Sequence, residues 1–145
     1  MDLSADKIAE LRVKQLEMLQ AIVARLAGNG ATIKNYCITI VAAICGFAVT
    51  LQRPAVAIVA FLPLCVFALI DAQFLRTERR FRNLFDKRRS EPWAELPSFE
   101  INTAVAPPSS YPSALFSWSI FIFYVPLAIG VAVVVLIARS INGHL

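Results

Sequence analysis

The chain has 145 residues, of which 58% are hydrophobic and only 17% charged, with a mean hydropathy of +0.65. That composition excludes an ordinary soluble domain, because there is too little polar side chain to cover its surface. The net charge of +4 is not general basicity: residues 76–89 alone hold Arg76, Arg79, Arg80, Arg82, Lys87, Arg88 and Arg89 against Glu78 and Asp86.

In chain order, the first predicted element is an amphipathic helix capped by Ser4 and running to about Leu26. Ile8, Leu11, Leu16, Leu19, Ile22, Val23 and Leu26 fall on one side and Lys7, Glu10, Lys14, Glu17 and Arg25 on the other. Gly28, Asn29 and Gly30 supply a stop signal. This segment lacks the basic, apolar and small-residue regions of a signal peptide, so insertion is expected to rely on internal spans.

Tyr36 to Leu51 and Ala55 to Ile70 are two nearly uninterrupted apolar runs joined by Gln52, Arg53 and Pro54. Each arm of a resulting hairpin is roughly 25 Å long, just under the ~30 Å hydrocarbon core. Pro63 is expected to bend the second arm. Cys37, Cys45 and Cys65 all fall within the hairpin and read as small apolar side chains. Along the first arm Thr39, Ala43, Gly46 and Thr50 share one stripe, and Ala42 with Gly46 forms a small-x-x-x-small pair. The stripe suits helix packing, pore lining or both. Asp71 closes the second arm, and a carboxylate so near hydrocarbon needs a cation. Lys34 and Arg76 are the candidates, with an interfacial ion pair favoured over an ion-selective site.

From Phe74 the second arm is expected to continue as a basic helix that Pro92 ends. Residues 90–114, with five prolines and several serines, are expected to form an extended loop. Leu115 to Ala138 is the third span, aromatic in its first half, with flexure expected at Pro126 and Gly130. The fold class expected is an all-α membrane protein: an N-terminal amphipathic helix (1–32), a two-span hairpin (33–74), a basic helix and proline-rich loop (75–114), a third transmembrane helix (115–138) and a tail (139–145). Residues 1–34 and 76–89 together hold twelve Lys and Arg, whereas the turn holds Arg53 and the tail Arg139. This asymmetry predicts both basic segments in the cytoplasm and the C-terminus outside.

No enzyme, cofactor or metal is expected. The single histidine is His144, and no nucleophile-base pair, paired carboxylates or glycine-rich phosphate loop occurs. The basic block, interleaved with Phe81 and Phe85, reads three ways: topogenic charge, attraction to anionic lipid, or a phosphate-bearing ligand.

The stretch Ile70 to Lys87, after a two-span hairpin and an amphipathic helix, resembles the SLATT-like small membrane effectors encoded beside nucleotidyltransferases in bacterial anti-phage systems, most closely the Hailong type. That resemblance covers about residues 8–90. It implies an inner-membrane channel that depolarises the cell when opened, controlled by a nucleotide or single-stranded DNA oligomer from the partner nucleotidyltransferase. It further implies Arg76, Arg79, Arg80, Arg82, Lys87, Arg88 and Arg89 as phosphate contacts, with Phe81 or Phe85 as stacking partners. Because three spans cannot enclose a pore, a homo-oligomer is required, here set at a tetramer. The alternative from another class is a non-conducting membrane adaptor that recruits a cytosolic partner.

Overall fold

The computed structural model describes residues 4–142. Residues 1–3 and 143–145, including His144 and the end of the expected tail, lie outside the described residues, as do the side chains of residues 141 and 142. The described chain is all-helical, without strands. Its helices are α1 (Ala5–Thr50), α2 (Pro54–Val59), α3 (Phe61–Ser90), α4 (Tyr111–Leu115) and α5 (Trp118–Asn142), with a 3-10 turn at Thr103–Val105 between α3 and α4.

Helix α1 corrects the expected stop at Gly28, Asn29 and Gly30. It continues through all three residues as one helix of 46 residues, and among the described residues no glycine has positive φ. Packing on α3 on both sides of these residues overrides their low helix propensity, which costs about 1 kcal/mol per glycine. At its start Ser4 Oγ accepts from the Lys7 N–H. Glu10 then bonds Lys7 at 2.8 Å and Lys14 at 2.9 Å, and these two ammonium partners hold its carboxyl down to about 2. At its end Gln52 takes a left-handed φ of 53°, and the Arg53 N–H donates to Ala48 O at 3.0 Å. This is a Schellman-type ending, and Pro54 in the first turn of α2 starts the return arm.

The return arm is jointed, not merely bent. α2 stops at Val59, Ala60 makes a turn, and α3 begins at Phe61. Pro63 has no N–H to donate one turn back, so the helix restarts there with Pro63 in a first turn that needs no intrahelical donor. At the other end Glu91 is extended (φ −69°, ψ 151°), as the residue before Pro92 must be. The segment after it is irregular as expected, except that its last residues form α4, capped by Ser110. Phe116 and Ser117 then separate α4 from α5, so the third helix starts at Trp118, not Leu115. α5 is unbroken through Pro126 and Gly130.

Helices α1 and α3 form the most extensive pairing, and α2 and α5 complete the bundle. Its main core joins Cys37, Val41, Leu64, Ala72, Ile120, Tyr124 and Val131. All three cysteines are free. Three helical segments are long and apolar enough to cross a membrane: α1, the α2–α3 arm and α5. Only 17%, 28% and 22% of their apolar windows are buried. Most of that apolar surface therefore faces outward, toward lipid or another polypeptide.

Candidate functional site

Three clusters carry the chemistry. The first lies where α1, α3 and α5 meet at the basic end of the bundle. Lys34 Nζ is 2.5 Å from Asp71 Oδ2, and the Asp71 side chain is only 3% exposed. Gly30, Lys34 and Cys37 share one face of α1, at spacings of four and three residues. Gly30 brings the backbone close: a Cβ there would meet Asp71 Oδ1 at 3.3 Å. The Lys34 ammonium also stands 5.8 Å from the centroid of the Phe123 ring, which packs edge to face on Tyr124. Tyr124 is itself buried in the main core, and its hydroxyl has no hydrogen-bond partner among the described residues. Lys34 and Asp71 are thus paired, in a buried knot where α1, α3 and α5 meet; Arg76 takes no part in it.

The second cluster is the basic block, and much of it is occupied in holding the chain together. Arg76 Nε donates to Ser109 O at 3.1 Å and Arg79 Nη1 to Ser113 O at 3.0 Å. Lys87 donates to Val105 O at 2.7 Å, and Asn83 beside them to Pro107 O at 2.9 Å. These contacts strap residues 105–113 onto α3. Arg82 pairs with Glu78 at 2.6 Å, Arg88 with Glu91 at 2.9 Å, and Arg89 with Asp86 at 3.8 Å. Arg80 is half-buried. Phe81 and Phe85 are half-buried against Leu19, Leu84 and Ala106, so the expected stacking faces are used in packing.

Sequence reading missed Arg12. It is 3% exposed and reaches from α1 to the end of α3, where Nη1 donates to Arg88 O at 3.4 Å and lies 3.5 Å from Glu91. Its Nε donates to Glu95 O at 3.0 Å. Arg12 therefore caps α3 and anchors the following segment. Its register on the apolar side, four residues after Ile8 and seven before Leu19, was the available signal. We expect Arg12→Met to cost about 2–4 kcal/mol, since it leaves two carbonyls without their donor and takes from Glu91 one of its two cations. Limited proteolysis should then cut residues 91–100 faster, and an unchanged cleavage rate would mean that the segment is held elsewhere.

The third cluster is the stripe Thr39, Ala43, Gly46 and Thr50. All four residues are exposed, whereas Cys37, Val41 and Ala48 on the same helix are buried. At 100° per residue the two sets lie about half a turn apart, so the stripe faces directly away from the protomer core. Ala42 is exposed beside it, and Thr32 and Gly28 extend it two and three turns further back. The Thr39 and Thr50 hydroxyls donate to Asn35 O and Gly46 O at 2.9 and 3.0 Å. That spends their protons and leaves oxygen lone pairs outward.

Three membrane-length helices define the class: a multi-pass helical membrane protein. Comparisons of the chain with protein-family models, curated proteins and solved structures return no match.

Proposed function

We propose that the protein is the subunit of a homo-oligomeric ion channel in the bacterial inner membrane, with its N-terminus and arginine-rich end in the cytoplasm. It acts as an effector of anti-phage defence that depolarises the membrane when open. An anionic nucleotide or single-stranded DNA oligomer, supplied by a partner nucleotidyltransferase, switches it from the cytoplasmic side. One observation carries the conducting part: the small-residue stripe of α1 is exposed and points away from the protomer core, and a Cβ added at Gly46 would meet nothing within 4 Å. A stripe of this kind in lipid is a surface for close helix approach. Packed around a symmetry axis, it gives a narrow lining whose polar groups are the threonine oxygens. The defence role rests on the resemblance of residues 70–87, and the orientation on the Lys and Arg count.

The test is ion flux through the purified protein in liposomes, with and without short single-stranded DNA and cyclic nucleotides. Flux that one of these ligands switches is the expected result. Inserted, oligomeric protein that conducts under no condition would overturn the channel and favour the adaptor, whose recruiting surface would be the exposed polar face of α1 around Glu10, Lys14 and Glu17.

A further inference from the structure

Arg76 and Arg79 differ from Arg82, Arg88 and Arg89 in what they contact. Their hydrogen bonds go to neutral oxygens: Ser109 O for Arg76, and Ser113 O and Oγ for Arg79. Among the described residues neither has a carboxylate within 4 Å, whereas Arg82, Arg88 and Arg89 each have one. Two uncompensated guanidinium groups thus stand one turn apart. Each has five N–H donors, and the chain uses a single nitrogen of each. With Asn83, Ser109, Ser110 and Ser113 they line an open recess of about 490 Å³. Ser113 Oγ accepts from Arg79 and Ser110 Oγ from the Ser113 N–H, which leaves both hydroxyl protons free to donate.

The level of this recess narrows what it meets. Arg76 and Arg79 lie five and eight residues beyond the buried Asp71, roughly 8 and 12 Å along the helix axis. Measured from Asp71 as the end of the hydrocarbon, a headgroup layer about 5–8 Å thick brings Arg76 to its outer edge and leaves Arg79 just beyond, on the water side. The chain returns toward the membrane just after Ser113, through Phe116 and Trp118, which are 79% and 76% exposed. Aromatic rings so exposed at the start of a span mark the interface.

We propose that this recess binds a phosphate group at the membrane surface, with Arg76 and Arg79 holding its oxygens and the Ser110 and Ser113 hydroxyls donating to the remainder. The phosphate comes from an anionic lipid headgroup or from a soluble nucleotide, the chemistry being shared. The nucleotide source rests on the control proposed above; the lipid source does not, and neither requires conduction.

The experiment is calorimetric titration of the full chain in neutral detergent micelles with dihexanoyl phosphatidylglycerol, with deoxyadenosine monophosphate and, as a zwitterionic reference, with dihexanoyl phosphatidylcholine. Saturable binding of at least one of the first two, tighter than the reference, is expected. Arg76→Gln with Arg79→Gln should weaken it by about tenfold or more. Ser113→Glu should do the same while keeping the arginine contacts to backbone oxygens, which separates loss of charge from release of the segment. Arg82→Gln with Arg89→Gln should leave binding unchanged. Binding of the lipid alone assigns the site to the headgroup, and binding of the nucleotide alone to a soluble ligand. No saturable binding, equal binding of the reference, or equal binding by the recess variants would overturn the proposal. Because the readout is binding, a channel that fails to conduct leaves it standing, and a recess that binds nothing leaves conduction untouched.

Discussion

Lys34→Met is expected to destabilise the folded protein by about 3–5 kcal/mol, because it leaves the Asp71 carboxylate buried between three helices without its cation. Asp71→Ala should cost somewhat less, about 2–3 kcal/mol: the Lys34 side chain is 22% exposed and its long stem can carry the ammonium outward. Replacing both, as Lys34→Met with Asp71→Leu, should cost far less than the sum of the two, because no buried charge is then stranded. Reversible unfolding in mixed micelles, followed by loss of helicity, gives the three values needed for the cycle. Strict additivity would show that the pair contributes no coupling, and the knot would then be a consequence of the packing instead of a cause.

Gly46→Leu is expected to leave the protomer at least as stable as before, by up to about 1 kcal/mol from helix propensity, while abolishing assembly and lowering ion flux by about tenfold or more. A Cβ on Gly46 meets nothing within 4 Å, so leucine disturbs no contact inside one chain. Between chains it would prop apart helices that approach through small residues. Thr50→Leu should behave alike, one turn further along. Crosslinking in membranes reads assembly, vesicle flux reads conduction, and thermal unfolding in detergent reads the protomer. Normal oligomers and normal flux would place the α1 stripe against lipid and move the subunit contact to another helix.

Features set by local chemistry were legible in the sequence. The hairpin turn, the Ser4 cap and the end of α3 before Pro92 follow from residue type and spacing, as does the need of Asp71 for a cation, for which Lys34 and Arg76 were both candidates. What escaped was set by contacts distant along the chain. Gly28, Asn29 and Gly30 carry every mark of a helix stop, yet Gly30 serves the close approach of Asp71, 41 positions later. Arg12 looked like one of the topogenic cations until α3 brought its last turn and residues 91–95 around it. The basic block was recognised by its charge, but that Arg76, Arg79 and Lys87 hold carbonyls 18 to 34 residues away is not encoded in any local pattern. Helix α4 was missed although Ser110 followed by Tyr111 and Pro112 is an acceptable helix start, because five residues give no periodicity to detect.

The unbroken course of α1 has a mechanical consequence. At 1.5 Å per residue, 46 residues make a shaft roughly 70 Å long, more than twice the thickness of the hydrocarbon core. With no joint at Gly28 to Gly30, a tilt about the Lys34–Asp71 knot would carry the end that holds Arg12, together with the last turn of α3 bound to it, and the end near Thr50 in opposite directions. The neighbouring arm has its articulation at Ala60, beyond that pivot, where it can absorb the swing without parting from α1. The chain is therefore built as a lever with its fulcrum at the Lys34–Asp71 knot and its joint at Ala60.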